Sequence, residues 1–231
     1  MVSTDTIYQR VLAIANKEQR GYITPQEFNL YANLVQMEIF DQYFYDLNQF
    51  SRLHGNDTGH ADMVDLLEEK INIFADTTPM VAGNVNEWIP TVTPYKVTSV
   101  FYTLDSKTYV GERVTQKEAA EMSASPLAKP SPTRPVWYDT FGKIIVLGPT
   151  DLSGSMNLNF IKRPGTVRWG YVVVNEQAMY DQTNTENFEL HASEENNLVY
   201  KILKLAGISL DTGVYQAAAN EEMKNIQQEK Q

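Results

Sequence analysis

The residue types that do chemistry are few in this chain and widely spaced. Asn16–Glu27 reads as a twelve-residue calcium loop, with Gly21 at the sixth position, Ile23 at the eighth, Glu27 at the twelfth and Phe28 after it. Asn16 at the first position and the cation Arg20 at the fifth, where a ligand oxygen belongs, argue against the metal. Thr24-Pro25 also opens a helix inside the loop, and a tight turn plus a capping box accounts for the same residues. His54 and His60 bracket Gly-Asn-Asp-Thr-Gly, and with Asp57 inside it they have metal-ligating side chains. No third histidine or cysteine stands near them, and their spacing does not share one helix face, so a polar loop tip explains them. His191 precedes Ser193 at a helix start, which suits packing.

Three scattered histidines and no cysteine leave few nucleophile–base pairs beyond a Ser/His/Asp triad. The Walker phosphate loop, GxGxxG, HExxH and GxSxG are absent, which removes the common nucleotide, zinc-protease and hydrolase classes. Trp88, Trp137, Tyr138, Trp169 and Tyr171 fall in or beside strand-like segments. They suit a sheet core or subunit interface, or a stacking platform for sugars or bases. With an acid pair that includes Asp139, the platform would make a carbohydrate-binding module or hydrolase, the competing class. Pro132-Thr-Arg-Pro135 matches a polyproline ligand but reads better as a stiff connection into the next strand. Lys162, Arg163 and Arg168 cluster around Pro164-Gly165 and could face nucleic acid or an acidic partner. The acidity of the helical parts favours the acidic partner.

These residues sit in a chain of 231, enough for one large domain or a domain with an insertion. A 42% hydrophobic, 21% charged composition is that of a folded protein. The absence of cysteine excludes a disulfide scaffold, a thiolate zinc site and a cysteine nucleophile. A net charge of −10 argues against wrapping around duplex DNA. No apolar run approaches the roughly 18–20 residues that span a bilayer. MVSTDTIYQR has an early acid and no apolar core, unlike a secretory signal. Lys96–Asn175 holds ten basic and six acidic residues, a net of +4, and the remainder carries −14. That asymmetry suggests two structural parts.

The spacing of Ile7, Val11, Leu12 and Ile14 predicts a helix over Thr4–Ala15. Thr24-Pro25-Gln26-Glu27 starts a second helix, Pro25–Asn48, with 13 of 20 residues apolar between Phe28 and Leu47. Its polar stripe Asn29, Asn33, Gln36 and the opposite polar set Asp41, Gln42, Asp46 imply neighbours on different sides. A third helix is predicted at Asp62–Phe74, then strands at Ile89–Thr93 and Tyr95–Leu104, and a short helix, Thr115–Ser123, with Glu118 closing a capping box. Strands follow at Val136–Thr140, Lys143–Leu147, Met156–Lys162 and Tyr171–Asn175. Ser193 caps a helix over Glu194–Ala206 that stops at Gly207, and a weaker helix spans Gly213–Glu229. The order gives an α+β fold: a helical bundle formed from both chain ends (1–85 and 176–231) with an antiparallel β-rich insertion at 86–175.

Gly-Tyr-Ile-Thr-Pro-Gln-Glu-Phe-Asn (21–29), Ser-Pro-Leu-Ala-Lys-Pro-Ser-Pro (125–132), Lys-Arg-Pro (162–164) before Trp169-Gly170-Tyr171, and Phe-Glu-Leu-His-Ala-Ser-Glu-Glu-Asn (188–196) carry a resemblance. In these stretches the chain resembles the head–tail connector ring proteins of crAss-like tailed bacteriophages. They are turns, caps and loops, so no catalytic, cofactor-binding or metal residue comes with them. The resemblance implies a non-enzymatic virion protein at the neck, in a ring of identical subunits, commonly twelvefold; a second reading within virions is a capsid-associated or tail-sheathing component away from the channel. The ring's partners would be the portal and neighbouring tail or ring proteins. DNA would pass through the lumen without sequence-specific binding, and no membrane would be involved. Acidic residues such as Glu68 and Glu69, if they line the lumen, would repel phosphate and let the duplex slide.

Overall fold

The computed structural model describes residues 1–17, 23–52, 58–84, 86–104, 106–140, 142–148 and 155–207. Helices α1 (Thr4–Lys17), α2 (Pro25–Arg52) and α3 (Thr58–Asn72) come first. Strands β1 (Ala75–Ala82), β2 (Glu87–Pro90), β3 (Lys96–Leu104), β4 (Lys107–Val110) and β5 (Glu112–Arg113) follow. Helix α4 (Gln116–Ala124) precedes β6 (Val136–Thr140), β7 (Lys143–Leu147) and β8 (Ser155–Ile161). The described chain ends with the hairpin β9 (Tyr171–Val174) and β10 (Gln177–Tyr180), then α5 (Glu195–Leu205). The fold is mixed α+β. Contacts divide it into one unit of Met1–His54 with Pro164–Gln231 and another of Gly55–Arg163, where the sequence reading sets the insertion at 86–175.

In the second unit, eight strands make one sheet in the order β4-β3-β8-β1-β2-β7-β6-β5. Its edge strands β4 and β5 are consecutive, parted only by Gly111. The Gly111 N–H donates to the Val100 carbonyl on β3 at 2.9 Å, and its own carbonyl accepts from the Trp137 indole N–H on β6 at 3.1 Å. The sheet therefore curls back on itself into a nearly closed barrel. A Cβ at Gly111 would lie 2.8 Å from the Trp137 ring, so glycine permits the close approach.

All the strand pairs of the barrel are antiparallel except β5–β6, which is parallel, a departure from the purely antiparallel insertion expected. Counting β4 and β5 as one strand leaves seven around the ring. Alternating directions cannot close on an odd number, so one pair must run parallel. Pleating sends alternate residues inward: Met156, Leu158 and Phe160 on β8, Ile144 and Val146 on β7, Val100 and Tyr102 on β3. Trp88 and Trp137 complete this core.

Strand β1 lies inside the stretch read as helical. Ala75–Pro79 pairs with β8 and Met80–Ala82 with β2, so Pro79, which has no N–H, sits where pairing passes from one neighbour to the other. Strands β6 and β7 match their expected spans.

In the first unit, α5 packs on α1 and α2, burying Leu198, Val199, Ile202 and Leu203. The start of α5 differs from expectation. Ser193 lies in a 3-10 turn, Ala192–Glu194, and the cap position of α5 is Glu194, which makes no side-chain cap bond. His191 takes the capping role for that turn: its Nδ1 accepts from the Ser193 N–H at 3.2 Å. Gly207 ends the helix as expected, at φ +75°. The helix read over Gly213–Glu229 lies outside the described residues.

Candidate interaction surface

The polar stripe on α2 has a definite partner. Trp169 N–H donates to Asn29 Oδ1 at 2.7 Å, and Asn29 Nδ2 returns a bond to the Trp169 carbonyl at 3.3 Å. Asn33 treats Val167 the same way, at 2.9 and 2.8 Å. Gln36 Nε2 donates to the Gly165 carbonyl at 2.7 Å, and its Oε1 accepts from the Glu189 N–H at 3.2 Å. Four helical residues rise about 6 Å and three about 4.5 Å, near enough to the roughly 6.6 Å two-residue repeat of an extended chain for side-chain amides to bridge the difference. Amides at 29, 33 and 36 therefore meet alternate residues 169, 167 and 165, and the helix face stands in for a strand edge. The extended strap 164–170 is fixed by these amides together with one isolated backbone bridge, Arg168 to Glu186.

Trp169 anchors the end of the strap. It is buried, its indole N–H donates to Asp5 Oδ1 at 2.9 Å, and its ring lies 4.2 Å from Tyr8, 6.0 Å from Tyr171 and 5.8 Å from Tyr180. Gly170 follows with no room for a side chain: a Cβ would stand 2.6 Å from the Asp181 carbonyl oxygen. Its N–H donates to Thr185 Oγ1 at 3.0 Å. Asp181 caps the turn after β10, and the Asn184 amide and Thr183 N–H hold its carboxyl below the usual range.

From this anchor the hairpin projects, with Tyr171 opposite Tyr180 and Val172 opposite Met179. Tyr171 and Tyr180 share the face against Trp169. Val172, Val174 and Met179 share the other, and they are 51%, 45% and 57% exposed. Asn175 and Glu176 make the turn at φ +51° and +65°. Beside the root of the hairpin lies a groove of about 410 Å3 between Leu30 of α2 and Thr166–Arg168 of the strap. Leu30 and Leu34, one turn apart, are 67% and 62% exposed. The surface thus joins an uncovered apolar ribbon to an uncovered apolar groove, a combination suited to holding another protein.

The other expected residues fall elsewhere. In the calcium-loop stretch, residues 18–22 lie outside the described residues. Thr24 and Glu27 form a capping box, in which Thr24 N–H and hydroxyl both donate to Glu27 Oε2 and hold that carboxyl below its ordinary value. His54 and Asp57 also lie outside the described residues, and His60 falls on α3. Among the described residues no three metal-ligating side chains converge. The aromatic set is divided: Trp88, Trp137 and Tyr138 belong to the barrel, Trp169 and Tyr171 to the other unit. Trp88 and Trp137 are buried in the barrel core and present no open face to a sugar or base.

Asp139 and Glu118 do line one hollow of about 320 Å3. Asp139 is engaged by Arg113 at 3.2 Å, and the N–H and hydroxyl of Thr115 hold the Glu118 carboxyl below its ordinary value. An acid pair for glycoside hydrolysis needs one carboxyl that keeps its proton near neutrality, and Glu118 is not tuned to be that one. Ser131 and Arg134 close a turn inside the proline stretch, which delivers buried Pro135 to β6. Lys162 and Arg163 belong to the barrel unit and Arg168 to the other. The residues that sequence reasoning missed are Leu30, Leu34, Val172, Val174 and Met179. The usable signal for the hairpin was three consecutive valines without the polar alternation of a half-buried strand.

Comparison with protein-family models and with curated proteins finds no match to this chain.

Proposed function

We propose that the chain is a non-enzymatic virion protein of a tailed bacteriophage, a ring-forming subunit of the head-to-tail connector set between portal and tail. In this reading the helices of the two chain ends form the bundle of each subunit. Copies, commonly twelve, assemble around the DNA channel and contact the portal and the neighbouring ring or tail proteins. The observation that carries the reading is the apolar hairpin face of Val172, Val174 and Met179, left in solvent beside the exposed Leu30 and Leu34. A two-stranded ribbon is marginally stable by itself. One that displays its apolar side is built for a neighbour. The resemblance of the turn and cap segments to connector ring proteins names the assembly.

The test is to locate an epitope-tagged chain by electron microscopy in particles of a phage that encodes it. Label at the neck is expected, and label elsewhere, or particles without the chain, would overturn the reading. Glu68 and Glu69 are exposed on α3 and are the acids assigned to the lumen. Their joint replacement by lysine should slow DNA ejection, since cations there would retain phosphate; unchanged ejection kinetics would remove that assignment alone.

A further inference from the structure

We propose that the β9–β10 hairpin of one copy seats its Val172–Val174–Met179 face in the groove beside Leu30 and Leu34 of the next copy, where Glu176 at its tip meets Arg168. This contact rests on the ring reading above and specifies the joint which that reading leaves open.

Three observations converge on it. The first is apolar fit: one surface of the molecule carries both an exposed aliphatic ribbon and a groove of about 410 Å3 that exposed Leu30 lines among polar neighbours, with exposed Leu34 one turn along the helix. The second is charge. Arg168 lines the groove, and neither it nor Glu176 makes an ion pair among the described residues; Glu186, bridged to Arg168 through the backbone, is not paired to it either. The third is the turn itself. A tight turn with both central residues at positive φ takes glycine readily at its second place, yet here Glu176 holds φ +65°. A charged side chain kept at a strained tip marks a functional position.

Geometry makes the pairing intermolecular. The strand from Tyr171 to Val174 is four residues, so the ribbon runs about 13 Å at 3.3 Å per residue. Its root, Tyr171, accepts from the groove residue Gln26 at 3.3 Å, and its Val172–Val174–Met179 face is exposed, so that face is not seated in the groove of its own chain. Complementary patches displaced on one molecule join head to tail, and such joints form a ring where the rotation from copy to copy closes.

Two full-length variants test the contact: a hairpin variant, Val172→Asp with Met179→Asp, and a groove variant, Leu30→Asp with Leu34→Asp. All four positions are exposed, and circular dichroism verifies that each variant folds. Where the wild-type chain assembles, each variant alone should remain monomeric by mass photometry. Their mixture should form dimers that stop at two, because only one good hairpin and one good groove remain. A mixture that stays monomeric, or variants that assemble like the wild type, overturns this contact and leaves the ring reading standing.

For a chain that is monomeric in dilution, the absence of native cysteine makes a cross-link clean. Arg168→Cys mixed with Glu176→Cys should give an oxidised heterodimer at about 1 mM protein, where a millimolar contact is half occupied. A yield no higher than Glu176→Cys mixed with Lys107→Cys on the barrel overturns the contact, and a Glu176→Cys homodimer in its place assigns a twofold hairpin pair instead. Finally, Glu176→Gly should raise the melting temperature while weakening assembly about two- to fivefold, the range of an exposed ion pair. Unchanged or tighter assembly in that variant overturns the role given to the carboxylate.

Discussion

Along β8 of the barrel, Met156, Leu158 and Phe160 take alternate places and point to the same interior as Trp88, Trp137 and Tyr102. Along β9 of the other unit, Val172, Val173 and Val174 stand in a row, all exposed. Both strands are short and apolar. The barrel strand has neighbours on both sides and its sheet returns to itself, so its aliphatic side chains are covered by its own unit. Among the described residues the hairpin strand has one neighbouring strand, and its Val172–Val174–Met179 face has no covering layer. The two units also satisfy backbone polarity differently: the barrel by its ladder, and the strap at 165–169 by side-chain amides of α2. A unit that completes its own core is a scaffold, and one that stops short of completion offers a surface.

The largest expected effect follows from the closed core. Trp137 is buried, donates to Gly111 at the barrel seam and packs beneath the Arg113 guanidinium, 5.5 Å from its ring centre. Trp137→Ala should cost about 3–5 kcal/mol. Hydrogen exchange should rise across the barrel strands, with the seam at 107–113 opening most. Exchange that stays slow there would show that the barrel does not depend on this seam.

A smaller effect is expected at the amide ladder. Asn33→Leu keeps the branched shape but removes both partners of buried Val167, leaving its N–H and carbonyl unpaired. Each such orphan costs about 1–3 kcal/mol, and the groove beside Asn33 and Val167 admits water to them, so the total should lie at the low end, about 2–3 kcal/mol. Exchange should rise at 164–170 and hardly change in the barrel, the converse of Trp137→Ala. Because the hairpin hangs from this strap, assembly should weaken with it.

Much of the scaffold was legible in the sequence because its signals are local. Thr24-Pro25-Gln26-Glu27 and Thr115 with Glu118 spell capping boxes that form as read. Val136–Thr140 and Lys143–Leu147 pair antiparallel, and Gly207 stops α5. The seam was not legible, since it depends on Gly111 meeting Val100 and Trp137, which lie 11 and 26 places away. Strand β1 was hidden by Pro79, harmless only because of how the pairing changes over at that residue. Gln177–Tyr180 lacks β-branched residues and reads as a strand only once it pairs with β9. The stripe of Asn29, Asn33 and Gln36 was visible as polar, but its partner was a distant extended backbone and not solvent or another helix. For the interaction surface, periodicity shows which side chains are apolar. Whether a covering layer exists is a tertiary fact.

An alkaline effect should be confined to the unit that carries the hairpin. Tyr43 on α2 is buried, and burial followed by the nearby Glu194 carboxylate raises its pKa well above the ordinary value of 10.0. The folded state therefore holds the phenolic proton more tightly than the unfolded chain. The resulting stability is fully present below about pH 10 and declines as pH rises beyond it. Tyr43→Phe should flatten that decline, seen as urea midpoints that fall less between about pH 9 and 11 than those of the wild type. Exchange in the barrel strands should be indifferent to the substitution.

The finest contrast uses the two capping boxes, one in each unit. Hydrogen bonds from the N–H and hydroxyl of Thr24 hold Glu27 below its ordinary value of 4.5, and those of Thr115 do the same for Glu118. A depressed carboxyl contributes stability above its unfolded pKa and loses it as pH falls through the folded one. Both carboxylates are exposed, so solvent keeps the effect small. Glu27→Gln should speed exchange in the first turns of α2 at neutral pH, and Glu118→Gln should do so in α4. Both differences from the wild type should shrink below about pH 4, where the native carboxyls also take up protons. The consequences should then part. The α4 box lies far in sequence from the strap, and its loss stays local; the α2 box is followed within two turns by Leu30, Asn29 and Asn33, so fraying there reaches both the groove and the ladder. Weaker assembly in Glu27→Gln but not in Glu118→Gln would place the contact surface on the open unit, and equal weakening would spread it over both.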